Sequence, residues 1–183
     1  MDNKVVNFIK RKPIIFGAIC FSVLLVIIII IAIAVSSGKK SDSKNGEKDI
    51  CDNQYSDQCL LSKMIEKQTE YPEGMPWTNS NCYSSKYLGY GCGCAGFAYM
   101  LSDVCFGELK ATKLSTCPDN YKVGDVVRMN GNTHSVIILS IDLTSNTITI
   151  AEGNFNSSIH WGRTIKINQF KADCNYVMRR NPN

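Results

Sequence analysis

The run Gly91-Cys92-Gly93-Cys94-Ala95-Gly96-Phe97-Ala98-Tyr99 sets a thiol among small residues at the start of an apolar stretch. A helix beginning there would present unpaired N–H groups and a partial positive charge to Cys94, favouring the thiolate over the thiol. Small neighbours leave room for a substrate to approach. Downstream, His134 opens the run Ser135-Val136-Ile137-Ile138-Leu139, and Glu152 and Asn154 follow the run Thr147-Ile148-Thr149-Ile150-Ala151. Thiol, base and orienting group therefore occur in one chain order, the set required for nucleophilic acyl transfer. Cys94 would attack an amide carbonyl as the thiolate, and His134 would take and return the proton. Glu152 or Asn154 would fix the imidazole tautomer through its second nitrogen. The Cys94 backbone N–H would serve the oxyanion, and water would resolve the thioester. No metal or cofactor is expected, because Cys92-Gly93-Cys94 lacks the paired spacing of a zinc site and no second ligand pair follows.

These residues need elements to position them. Leu60, Leu61, Met64 and Ile65 recur at helical spacing and predict a helix over about 57–67, broken by the two prolines and the glycine of Tyr71-Pro72-Glu73-Gly74-Met75-Pro76-Trp77. A second helix is predicted from Cys94 to about Leu101. After Pro118 the texture turns β-branched, predicting strands near 125–129, 134–141, 147–152, 164–167 and 175–178. Helices first and an antiparallel sheet second is the α+β pattern. Strand parity constrains the chemistry, since His134, Glu152 and Asn154 are all even and share a face only if the register joins even with even. A three- or five-residue loop after the His134 strand meets that condition. A two-residue turn at Ser145-Asn146 would put base and acid on opposite faces.

Composition bounds the rest. The 183 residues leave room for one compact domain once the N-terminal segment is set aside. Residues 13–38 carry no charge, and Ile14 to Val35 is almost wholly apolar, long enough to span a bilayer as a helix. Ala32-Ile33-Ala34 has the form of a signal-peptidase site, but a cleavable apolar core is usually only about 7–15 residues, which favours an anchor. The expected organisation is a cytoplasmic tail at 1–12, a transmembrane anchor at 13–38, a flexible tether at 39–50 and a catalytic domain at 51–183. Lysines flank the apolar run on both sides, so the positive-inside rule barely discriminates. Eight of the nine cysteines follow the run, which places the domain outside the cell or in a lumen. Short spacings suggest the pairs Cys51–Cys59, Cys82–Cys92 and Cys105–Cys117, with Cys174 unassigned. Beyond residue 38, 16 basic and 15 acidic side chains nearly cancel, and no nucleic-acid footprint is present.

The ordered set of Cys94 ahead of an apolar helix, Val123-Gly124-Asp125-Val126-Val127, His134 and Glu152-Gly153-Asn154 resembles a CHAP domain, the cysteine, histidine-dependent amidohydrolase/peptidase. The resemblance covers about residues 71–178, and Cys94-Ala95-Gly96-Phe97-Ala98 is similar to the nucleophile block of NlpC-type cell-wall endopeptidases. It implies a papain-like fold with N-terminal helices packed on an antiparallel sheet. It also implies amide hydrolysis, with peptidoglycan or peptide as substrate. From the same endopeptidases, the Tyr83 hydroxyl is carried over as a second oxyanion donor. His160 and Trp161 either line the substrate cleft or pack. Three other readings are an acyltransferase on a related fold, a transglutaminase-like enzyme with Asp142 as its acid, and a disulfide-stapled extracellular binding module.

Overall fold

The structure is a computed structural model that describes residues 51–182. The tail expected at 1–12, the anchor expected at 13–38 and the tether expected at 39–50 lie outside them. Among the described residues no helix is long and apolar enough to cross a membrane.

Helix α1, Asp57–Glu66, is capped by the Ser56 hydroxyl, which accepts from the Cys59 N–H, and it buries Cys59, Leu60 and Met64. A short 3-10 turn, Lys67–Thr69, ends it. Strands β1, Cys82–Ser85, and β2, Gly89–Cys92, form a hairpin in which Cys82 lies opposite Cys92. Helix α2, Cys94–Phe106, follows at once. The main sheet comprises β3 (Thr112–Leu114), β4 (Val126–Met129), β5 (His134–Asp142), β6 (Thr147–Phe155), β7 (Ser158–Lys166) and β8 (Cys174–Arg179), with α3 (Ile167–Asp173) between the last two. The spatial order is β3-β8-β4-β5-β6-β7, antiparallel throughout.

The alternation along the strands divides the core into two layers. On one face, Val126, Ile137, Leu139, Ala151 and Ile159 meet Phe97, Leu101 and Phe106 of α2 and Leu60 and Met64 of α1. On the other, Val127, Val136, Ile138, Ile148, Ile150 and Val177 meet Tyr121 and Phe170 of α3. Helix α2 lies close against the sheet because Gly153 has no side chain. A Cβ there would sit 2.6 Å from Phe97 Cβ and 2.8 Å from Trp77 Cδ1.

The expected parity is met by a different route. Asp142 pairs with Thr147, leaving a four-residue loop, which by itself sets His134 and Glu152 on opposite faces. Leu139 is an unpaired extra residue between Ile138 and Ser140. Beyond this bulge Ile138 pairs with Ile150, so even again meets even and His134 and Glu152 share a face.

Two expectations are corrected. The strand expected at 164–167 is the tail of the longer β7, and Ile167 already belongs to α3. The Cys105–Cys117 pair does not form. Cys117 bonds Cys174, joining the segment before β4 to the start of β8, while Cys105 faces the core from α2 as a free, buried thiol. Its spacing to Cys117 is short in sequence, but the helix turns its side chain toward the Leu60 carbonyl of α1. Cys51–Cys59 and Cys82–Cys92 are both bonded.

Candidate active site

The start of α2 is built by its neighbours. Gly93 occupies the N-cap with φ 57° and ψ −127°, a conformation open to glycine but strained for other residues. Its carbonyl accepts from Trp77 Nε1 at 2.8 Å, and its N–H donates to the Asn81 carbonyl. The following residue, Cys94, is 8% exposed and unbonded to any other cysteine. Cys92 is committed to its bridge with Cys82, which leaves Cys94 as the thiol at the helix N-terminus.

The thiol lies 3.9 Å from the Thr133 carbonyl and interacts with the adjacent His134 side chain, which favours its anion. His134 Nε2 in turn meets Glu152 Oε2 at 2.7 Å, leaving Nδ1 as the ring nitrogen on the thiol side. Glu152 is fully buried and takes a second partner, Arg163, whose Nη2 donates to Oε2 at 2.6 Å and whose Nε donates to Oε1. Burial opposes ionisation of Glu152, but the bonds from His134 and Arg163 outweigh it and hold its pKa below the usual carboxylate value. Burial likewise opposes the thiolate and the imidazolium. The Cys94–His134 interaction, supported by the Ser135 backbone and by Arg128 on the sulfur side and by Glu152 on the other, reverses both effects. The Cys94 pKa falls to about 7 and that of His134 rises to about 9. The arrangement holds a thiolate beside an imidazolium around neutral pH.

Asn154 lies elsewhere. It is the position that the register beyond the bulge would set opposite His134, but its own φ of 55° falls at an irregularity of the β6–β7 pairing and re-aims the side chain. Its Nδ2 donates to Asn79 Oδ1 at 2.8 Å, and the two amides fill the space a Cβ at Gly93 would need. The imidazole partner is thus Glu152, not Asn154.

Tyr83 is also corrected. Its hydroxyl is paired with Asp103, nine residues along α2 from Cys94 and about 13 Å away by helical rise, so it does not reach the thiol. His160 and Trp161 act as fasteners. His160 Nδ1 meets Glu73 Oε1 at 2.8 Å, the Trp161 N–H donates to Glu73 Oε2 and its Nε1 donates to the Tyr71 carbonyl. The Trp161 ring packs edge-on against Phe97. Together they strap residues 71–77 to β7. Asp142 is exposed at the far end of β5 from His134, capping Thr144 and Ser145, and cannot orient the imidazole.

Sequence reasoning missed Trp77, Asn79, Arg128 and Arg163. Arg163 carried a weak signal, as a basic residue on the strand paired with that of Glu152. The others come from loops or strands whose spacing to Cys94 has no period.

No family model matches the chain, and no curated protein matches it. Among solved structures, the crystal structure of Ly7917 aligns with a TM-score of 0.43 and 10% identity, covering 69% of this chain and 63% of that one. The crystal structure of Ly7917 with the hydrolyzing product of MDP aligns with a TM-score of 0.34 and 13% identity, covering 70% and 54%. The chain thus matches less than two thirds of the length of either.

Proposed function

We propose that residues 51–182 form a cysteine amidohydrolase/peptidase of the CHAP type on a papain-like fold, acting on amide bonds of peptidoglycan. The observation that carries this reading is the continuous line from the Cys94 thiol through His134 to the buried, ionised Glu152. The Cys94 thiolate adds to the amide carbonyl, and the tetrahedral oxyanion faces the Cys94 N–H at the helix start. His134 gives its proton to the departing amine as the carbon–nitrogen bond breaks, leaving a thioester. Water, deprotonated by His134, then cleaves the thioester, releasing the acid and restoring the thiolate–imidazolium pair. Glu152 keeps the ring oriented and stabilises its charged form, as the acid of a triad does.

The three disulfides of the described domain favour an oxidising compartment. With the uncharged 13–38 segment they fit a single-pass protein whose catalytic domain faces outward on the tether at 39–50.

The test is incubation of the domain with purified peptidoglycan, with identification of the released fragments. New amine and carboxyl ends are expected from the wild type and none from Cys94→Ala, whose melting curve should be unchanged. Absence of new ends from any peptidoglycan or peptide tried, with Cys94 alkylatable, would reject hydrolysis. Products appearing only when an amine or alcohol acceptor is supplied would instead mark an acyltransferase.

A further inference from the structure

The hydrolase reading leaves one charged group at the reacting atom unused. Arg128 lies on β4 directly opposite Ser135 of β5, and its Nη1 reaches Cys94 Sγ at 3.9 Å. The guanidinium is held in place: Nη1 also donates to Ser135 Oγ at 2.9 Å, Nη2 to the Asn132 carbonyl at 2.6 Å, and Nε to the Asn132 carbonyl and Oδ1 at 3.2 and 3.1 Å. Asn132 is itself fixed, its N–H donating to Asn175 Oδ1 at 2.6 Å beside β8. A long, flexible side chain is thereby anchored at its far end, with one N–H left aimed at the sulfur.

We infer that Arg128 is a second catalytic cation, a permanent counter-charge to the Cys94 thiolate beside the mobile one on His134. This rests on the hydrolase reading and adds a division of labour to it. His134 gives its proton to the leaving amine and regains one from the attacking water, so its charge beside the sulfur comes and goes. The Arg128 guanidinium takes part in no proton transfer, so its field at the sulfur is constant through the cycle. When the thioester breaks, the departing thiolate meets a cation already in position. The other ionisable groups around the sulfur are His134 from β5, backed by Glu152 from β6, with Tyr99 of α2 and Tyr176 of β8 nearby. None of these others offers a fixed positive charge.

The experiment needs no substrate. The rate of Cys94 alkylation by iodoacetamide is followed against pH in the intact domain, with mass spectrometry to confirm that Cys94 is the labelled residue. Arg128→Met should move the midpoint upward by about one unit or more, the usual effect of losing an opposite charge at this distance. Arg128→Lys should restore part of the shift. Ser135→Ala keeps the charge but removes one of its anchors, and should give a smaller upward shift. In a His134→Gln background, Arg128→Met should still raise the midpoint. Unchanged midpoints in Arg128→Met, with melting curves like the wild type, would overturn the inference while leaving the hydrolase intact. A wild-type midpoint in the ordinary thiol range would count against the hydrolase reading itself. Should Arg128→Met unfold, Arg128→Gln takes its place, and an unchanged midpoint in that variant would overturn the inference.

Discussion

At the scale of single residues, the site is a coupled pair flanked by fixed charges. Turnover is therefore expected to follow a bell-shaped pH profile, with limbs near the apparent values of about 7 and about 9 carried by the Cys94–His134 pair. Protonation of the thiolate closes the acid side and loss of the imidazolium proton closes the alkaline side. The measurement is kcat/KM against pH on a soluble peptide amide. Glu152→Gln should flatten the alkaline limb toward neutrality and lower turnover by about 10²- to 10⁴-fold, since the imidazolium loses its anionic partner. The same carboxylate bears on stability. Its folded pKa is depressed, so its contribution is complete above the unfolded value of 4.5 and is lost as pH falls through the lower folded value. Acid melts should show the wild type losing more stability than Glu152→Gln across that window. His160, by contrast, fastens Glu73 and the Phe155 turn. His160→Ala should leave the pH profile in place and lower the melting temperature.

At the scale of elements, the distance between α2 and the sheet decides whether thiol and imidazole meet. Gly153→Ala puts a methyl group into Phe97 and Trp77, and should cost about 1–3 kcal/mol of stability by overpacking. Because Trp77 also holds the Gly93 carbonyl, the same change should lower turnover beyond what the stability loss accounts for, a split that chemical denaturation and kinetics at low temperature can separate. These elements were unevenly legible. The start of α1 and the cores of β4, β5 and β6 followed from residue pattern, Cys94 and His134 stand at the element starts expected of them, and Glu152 lies inside a strand that runs on past its expected end. The β1–β2 hairpin did not, because Cys-Tyr-Ser-Ser and Gly-Tyr-Gly-Cys are polar and glycine-rich and are joined by a bridge rather than an apolar face. His134 and Glu152 share the expected face although the loop between their strands has four residues and not three or five. A bulge at Leu139 is invisible in a run of apolar residues, where one extra leucine alters no pattern. Asn154 was misplaced for a related reason, since a positive φ inside a strand cannot be read from alternation.

At the scale of the whole molecule, the described domain is stapled at three places, and the staples differ in reach. Cys117–Cys174 closes 57 residues, enough for about 4 kcal/mol on the chain-entropy account, while Cys51–Cys59 and Cys82–Cys92 close 8 and 10. A Cys117→Ser/Cys174→Ser double variant should therefore melt at lower temperature than one lacking Cys51–Cys59. Native alkylation should mark Cys94 and spare Cys105, whose thiol burial pushes up to about 12. The short first bridge has a mechanical meaning as well. Any pull arriving along the chain from residue 50 enters the fold at Cys51, and the bridge hands it to Cys59, which is fully buried within α1. Tension then reaches α1 at a buried residue beside Leu60 and Met64, not at its exposed first residues. Stretched from residue 50 in a force spectrometer, the oxidised domain should yield at higher force than a Cys51→Ser/Cys59→Ser variant.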